Sequence, residues 1–412
     1  MAKEKKKVPD LRFKGFTNDW EQRKLGDITE KVTEKNKDNR FSETLTNSAE
    51  HGIVSQRDFF DKDISNSKKL SGYYVVHPDD FVYNPRISNT APVGPIKRNR
   101  LGRTGVMSPL YYVFQVHDVN KNYLEKYFLT TNWNRFMKLN GDSGARADRF
   151  SIKASVFKQM PIPVPISRDE QEKIGEFLDQ FDSLIALHQR KLVLLKQLKK
   201  GLLQKMFADK DSKRPVLRFE GFNDDWERWK LGDLVVIKSG LSTNTQSRQG
   251  FYKITRIETI SKGLIDMNKT GSVQIKPDDK YLMHAGDILF SNINSLKHIG
   301  KVAIFNGKST LYHGMNLLRM TAQSNVSSYF IYYQLITDKH SNWAKAHANP
   351  AVSQASINQH TLSLEPMYIT KLEEQHEISD FIGKLDSILT FQQQKLVRIN
   401  KIKKSLLQQI FI

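Results

Sequence analysis

The 412-residue chain has no cysteine, which excludes disulfide bonds and thiolate metal sites and fits a reducing cytoplasm. No apolar run approaches the roughly 20 residues needed to span a bilayer. The basic opening "MAKEKKKVPD" lacks the apolar segment that would make it a secretory signal. Acidic residues are outnumbered: 44 Asp and Glu stand against 64 Lys and Arg, for a net charge of +20. A field of that sign attracts polyanions, and nucleic acid is the favoured one. An anionic membrane surface ranks behind it because no lipid-anchoring segment is present, and a merely soluble basic protein is the plain alternative.

Catalytic signatures are missing as well. "NGKST" (Asn306 to Thr310) is no phosphate loop, because the glycine required five places before Gly307 is Val302. "GDSGA" (Gly141 to Ala145) has none of the His and Asp context a serine nucleophile needs, so a Ser-Gly turn accounts for Ser143. "YNPRI" (Tyr83 to Ile87) falls near the Asn/Asp-Pro-Pro-aromatic signature of amino-methyltransferases, but Arg86 and Ile87 replace its second proline and aromatic. "PDDK" (Pro277 to Lys280) is a chance string in a chain this rich in Asp and Lys. His284, His298, His313, His347 and His360 are not at metal-ligand spacings. A basic chain without a catalytic constellation is expected to bind rather than react.

What is present is repetition. "LRFKGFTNDWEQRKLGD" from Leu11 returns as "LRFEGFNDDWERWKLGD" from Leu217, with 12 of 17 positions identical. After about 140 divergent residues the halves converge again. "QEKIGEFLDQFDSLIALHQRKLVLLKQLKKGLLQKMF" (Gln171 to Phe207) and "QHEISDFIGKLDSILTFQQQKLVRINKIKKSLLQQIF" (Gln375 to Phe411) share 15 of 37 positions. Constant frames around dissimilar centres suggest one scaffold carrying two different reading surfaces.

The two converging segments read as long helices. In the first, heptad-spaced rows run Ile174, Phe181, His188, Leu195, Leu202 and Leu178, Ile185, Leu192, Lys199, Met206. In the second they run Ile378, Leu385, Gln392, Ile399, Leu406 and Ile382, Leu389, Leu396, Lys403, Ile410. The pattern is that of a coiled-coil seam, and the polar breaks fall at equivalent places, as register-fixing breaks do. Two independent amphipathic helices on separate cores are the alternative. The link "ADKDSKRP" (Ala208 to Pro215) can reach at most about 28 Å. It is too short to run back along a helix of roughly 55 Å, so the pairing is expected to be antiparallel.

Each divergent middle reads as an α/β globule with a small, twisted, mostly antiparallel sheet. "SGYYVVHPDDFVYNP" and "KYLMHAGDILFSNIN" carry β-rich pieces around an Asp-containing turn, and "LYYVFQV" reads as a buried strand. "YLEKYFLTTNWNRFMKL" and "SYFIYYQLITDKHSNWAKA" read as helices, and "QMPIPVP" and "LEPMYIT" as closing strands. Loops rich in Arg, Lys, Asn and Ser are the candidate DNA contacts, because these side chains bind phosphates and base edges. In the first globule they are Asn84, Arg86, Asn89, Lys97, Arg98, Arg100, Arg103, Arg146 and Arg149. In the second they are Ser242, Asn244, Arg248, Lys253, Arg256, Ser291, Asn292, Asn294, Lys297, His298, Lys345, His347 and Asn349. Taken singly, each could be an ordinary solvated loop residue.

The frame resembles that of one family over nearly the whole chain: the DNA-specificity subunit of bacterial type I restriction–modification systems. The carrying residues are Trp20, Lys24, Leu25, Gly26 and Asp27, mirrored by Trp226, Lys230, Leu231, Gly232 and Asp233. With them goes "PIPVPISRDEQEKIGEFLDQFD" (Pro161 to Asp182) and its counterpart from Pro366, which departs from it in reading "PMYITKLEEQ". The resemblance implies an α+β fold, with two pseudo-two-fold-related α/β target-recognition domains separated by an antiparallel coiled coil of two long helices. The implied organisation is a first recognition domain over 1–166, a helix over 167–208, a linker over 209–213, a second domain over 214–370 and a helix over 371–412. Each domain would read one half of a bipartite duplex target, with the coil as ruler for the gap. The implied partners are double-stranded DNA, two methyltransferase subunits and motor–endonuclease subunits. S-adenosylmethionine, ATP and Mg²⁺ would belong to those partners and none to this chain. A single-chain restriction–modification enzyme or an active methyltransferase is the competing reading.

Overall fold

The repeated opening forms the same fastening twice. A computed structural model describes residues 8–60, 67–143, 148–208, 212–242, 250–261, 263–350 and 354–412. Its contacts divide the chain into two units, residues 1–189 with 395–412 and residues 190–394. In the first, strand Glu21–Lys24 pairs antiparallel with the proline-rich strand Pro161–Val164. In the second, Glu227–Lys230 pairs in the same way with Pro366–Ile369. Each opening strand leads into a 3₁₀ turn, Leu25–Asp27 or Leu231–Asp233, whose leucine is fully buried. The glycine of each turn has a steric role: a Cβ on Gly26 would come within 2.9 Å of the Lys158 Cβ, and one on Gly232 within 2.7 Å of the Ser363 Cβ.

Each divergent middle holds a four-stranded sheet, built to the same plan in both. Its strand order in the first unit is Thr29–Lys31, Tyr112–Val116, Phe81–Tyr83, Ile96–Arg98. In the second unit the order is Val235–Ser239, Leu318–Ala322, Ile288–Phe290, Val302–Ile304. All strand pairings named are antiparallel. The turn before each central strand is built alike. Asp80 accepts the His77 amide at 2.7 Å and Asp287 accepts the His284 amide at 2.8 Å. The residue before each carboxylate is in the left-handed region, Asp79 at φ 72° and Gly286 at φ 93°.

Each expected middle helix is broken in two. Lys121–Tyr127 and Asn134–Asn140 form in the first unit, Ser328–Leu335 and Asp338–His347 in the second. At each break a threonine hydroxyl, Thr130 or Thr337, turns back onto the carbonyl three residues earlier, ending the first helix. Leu110, expected at the start of a buried strand, lies in a turn and is 56% exposed; the strand begins at Tyr112.

The two long helices are Arg168–Lys205 and Leu372–Ile410, of 38 and 39 residues. Inside the first unit, Ile174 and Leu178 share an apolar cluster with Leu406 and Ile410, and Lys403 reaches Asp182. Inside the second, Leu202 and Met206 share a cluster with Ile378 and Ile382, and Lys199 reaches Asp386 at 2.5 Å. In each unit an early turn of one helix meets a late turn of the other, so both pairings are antiparallel. Every seam residue is at least partly withdrawn from solvent, including Phe181, Ile185, Leu192, Leu195, Leu385, Leu389, Leu396 and Ile399. The polar breaks His188 and Gln392 are buried at 8% and 7% exposure.

Candidate nucleic-acid interface

The Asx and hydroxyl-rich loops that follow the central strands converge with a short hairpin in each unit. In the first unit the hairpin pairs Asp142–Ser143 with Phe150–Ser151, and Arg86 bridges to Arg149. The Ile87 amide bonds the Asp148 carbonyl at 3.1 Å, fastening the loop to the hairpin. Arg86 and Arg149 are therefore neighbours, and both are exposed. Asn89 is exposed on the same loop, whereas Arg146 lies outside the described residues.

A groove of about 390 Å³ opens beside this loop. Asn84, Arg86 and Ser88 form one side, and Asn47, Gln56 and Phe59 contribute another. Asn84 holds the groove's shape: its Nδ2 donates to the Asn47 carbonyl at 2.8 Å and its Oδ1 accepts the Arg86 amide at 3.0 Å. Gln56, Phe59 and Phe60 escaped the sequence reading. The two phenylalanines are 42% and 39% exposed and meet edge to face at 4.7 Å. The signal was the hairpin Leu45–Ser48 with Gly52–Ser55, whose helix Gln56–Phe60 carries a Phe pair with no buried face.

The other arginines of the first unit are committed elsewhere. The Arg98 Nε donates to Asp79 at 2.8 Å and its Nη1 to Asn122 at 2.6 Å. Arg100 is clamped by Glu125 and approaches Asp179 of the long helix at 3.6 Å. Arg103 makes a two-pronged pair with Glu43. Burial, with Lys403 adding like charge, lowers the Lys97 pKa against the pull of Glu125 and Asp182. The structure thus places Lys97, Arg98 and Arg100 over the helix Lys121–Tyr127 and the start of the long helix, not with Arg86.

In the second unit the corresponding loop runs from Ser291 to Gly300. Its strand Ile293–Asn294 pairs with Ala355–Ser356, which pairs in turn with Asn349–Pro350. Asn294 and Asn349 therefore share one small sheet, and the same loop carries Asn292 and His298, both half-buried, and Lys297, which is exposed. Ser291 is buried and receives the Asn294 Nδ2 at 3.1 Å. The Asn292 Oδ1 and the His298 Nδ1 are buried and find no hydrogen-bond partner among the described residues. Lys345 is exposed, and His347 stacks on Trp343 at 4.4 Å on the helix that leads into this sheet. Ser242 and Lys253 are exposed on a separate segment, and Arg256 pairs with Glu258 at 3.5 Å. Asn244 and Arg248 lie outside the described residues.

Among the described residues no cluster of His, Asp and Glu could hold a metal ion, and no helix is long and apolar enough to cross a membrane. Residues 17–197 and 223–401 each match the family model described as the type I restriction modification DNA specificity domain. The chain belongs to this family. Two copies of the specificity domain thus coincide with the two repeats. The chain is 41% identical over 194 residues to the type I restriction enzyme MjaX specificity subunit of Methanocaldococcus jannaschii, covering 46% of each. It is 23% identical over 284 residues to the MjaVIII specificity subunit of the same organism, covering 62% of each. These alignments span only about half to three-fifths of the relatives' lengths. The fold is similar to that of the S subunit from M. genitalium, with a TM-score of 0.58 over 98% of this chain and 99% of that one, at 13% identity.

Proposed function

We propose that this chain is the non-catalytic specificity subunit of a type I restriction–modification complex, each globule reading one half of a bipartite duplex DNA target. One observation carries the reading: the two globules share sheet order and turn construction but present different side chains on the equivalent loops. Arg86 and Arg149 occupy the loop and hairpin of one unit, Asn292, Asn294 and Asn349 those of the other. Two half-sites of different sequence are the natural targets of such a pair, and the +20 charge supplies the attraction to phosphate.

The paired helices would set the gap between half-sites and offer the docking surface for methyltransferase subunits. In support, they leave apolar side chains open to solvent, among them Leu187 at 63% and Val397 at 59% in the first unit. In the second, Leu194 is 55% and Phe391 61% exposed. S-adenosylmethionine, ATP and Mg²⁺ would be used by the partner subunits and not by this chain. A methyltransferase reading is disfavoured by "YNPRI" itself, because both polar ends of Asn84 are spent on Asn47 and Arg86.

Exchanging residues 28–160 for the matching segment of another family member, in a host that also carries the methyltransferase subunits, tests the reading. Methylome sequencing should show one half-site altered with the other and the gap unchanged. Both half-sites changing together would refute the modular assignment.

A further inference from the structure

Behind the second unit's loop lies a buried ion pair, His340 with Glu365. His340 and Glu365 each expose 4% of their side chains, with the His340 Nδ1 2.6 Å from the Glu365 Oε1. The other ring nitrogen, Nε2, is 2.9 Å from the Gly300 carbonyl oxygen. Both neighbours are acceptors, so a ring that satisfies both donates from each nitrogen and is an imidazolium. Burial opposes that charge, but the Glu365 carboxylate and the Gly300 carbonyl outweigh it, and the His340 pKa is raised.

Gly300 closes the loop that carries Asn292, Asn294, Lys297 and His298. Its amide bonds the Ser291 carbonyl at 3.0 Å, and the Ser291 amide bonds the Lys301 carbonyl at 2.8 Å. Gly300 has φ 76°, and a Cβ there would come within 2.5 Å of the Ala344 Cβ, so the neck lies flush on the helix Asp338–His347. The His340 side chain bonds the neck at the Gly300 carbonyl, and Glu365 holds that side chain from behind.

The internal repeat supplies the comparison. Thr130 and Thr337 make the same backward bond, so Trp133 occupies the place of His340. Leu25 bonds the Met160 carbonyl as Leu231 bonds that of Glu365, so Met160 occupies the place of Glu365. Trp133 and Met160 are plain core residues, and the Trp133 indole donates to Phe128 within its own segment. The apolar pair suffices to build the globule, so the charged pair in the second unit serves something else.

We propose that His340, oriented by Glu365, is a positioning residue that holds the Ser291–Gly300 loop in the conformation with which the second globule reads its half-site. This rests on the DNA-reading function proposed above. A buried ion pair is a poor source of stability but a good source of one fixed geometry.

The double variant His340→Phe with Glu365→Met restores an apolar pair of similar volume and should melt close to wild type. In the methylome assay, the half-site that does not respond to exchange of residues 28–160 should become degenerate, losing roughly tenfold or more in discrimination. The other half-site and the gap should stay as they were. His340→Gln, which can still donate to Gly300, should recover part of the stringency. If the double variant folds poorly, Glu365→Gln is read by the same motif and by hydrogen exchange over residues 291–301. Full stringency at the second half-site, or equal loss at both, would overturn the proposal. Failure of the wild-type chain to direct any bipartite methylation would instead refute the DNA-reading function.

Discussion

Arg12 lays its guanidinium along the Glu170 carboxylate, Nε on Oε1 at 2.7 Å and Nη2 on Oε2 at 2.8 Å. Arg218 does the same to Glu374 at the same two distances. The next residue of each helix, Gln171 or Gln375, accepts the backbone amide of Asn120 or Ser327, which caps a short helix of the globule. The repeated opening and the repeated Glu-Gln are thus two halves of one fastener joining globule to rod. They recur because both globules need mounting, whatever each one reads.

The fastener is energetically exposed to single changes. Glu374 is fully buried and Arg218 nearly so. Glu374→Ala removes the counter-ion of a largely buried guanidinium, which keeps its bond to the Asp224 carbonyl, and should destabilise the second unit by about 3 kcal/mol. Urea unfolding of the single variants and of the Arg218→Ala, Glu374→Ala pair measures it, the pair costing less than the sum.

Acid should weaken the second unit before it weakens carboxylates in general. His313 is completely buried, and burial lowers its pKa from 6.5 to about 4. The folded state keeps the ring neutral, so the unfolded state takes up the proton first. The stability tied to His313 is complete above about pH 6.5 and drains away toward pH 4, at most about 3 kcal/mol. The wild-type urea midpoint relative to that of His313→Gln should fall from pH 7.5 to 5.5 to 4.5, a comparison in which the opposite contribution of His340, whose pKa is raised, cancels.

Arginines facing DNA and arginines facing protein should separate experimentally. Arg86→Ala and Arg149→Ala should leave the melting temperature unchanged and reduce the salt slope of duplex binding by about 1 each. Arg98→Ala should lower the melting temperature, since it removes the guanidinium that joins Asp79 to Asn122 and leaves Asp79 only Lys121 at 3.6 Å, and leave the salt slope intact.

Lengthening both rods should move the half-sites apart. Seven residues inserted after Gln189 and after Gln394 preserve the heptad phase on each side. Methylome sequencing should show a longer gap between unchanged half-sites, whereas an unchanged gap would remove the ruler role.

The frame was legible because it repeats: Trp20, Gly26 and the heptad rows announce themselves twice. The long helices start at Arg168 and Leu372, one residue inside the expected starts at 167 and 371, and they end at Lys205 and Ile410, short of the expected 208 and 412. The sheet order was not legible, because Phe81–Tyr83 and Ile288–Phe290 are buried on both faces and show no alternation. Basic character marked Arg86 and Arg98 alike. Only the fold brings Asp79 and Asn122 to Arg98, and only the fold sets Gln56 and Phe59 beside Arg86. His340 and Glu365 are 25 residues apart in a chain rich in both charges, so nothing in their spacing marked them.

Residues 395–412 complete a unit otherwise made of residues 1–189, with Ile410 and Phe411 seated in its apolar cluster. On a ribosome the earliest-made globule must therefore wait, its core unsealed, until Phe411 has emerged. The unit of residues 190–394 can close first. Vectorial synthesis and folding run in opposite order here, and the newborn first globule is the stretch most in need of a chaperone.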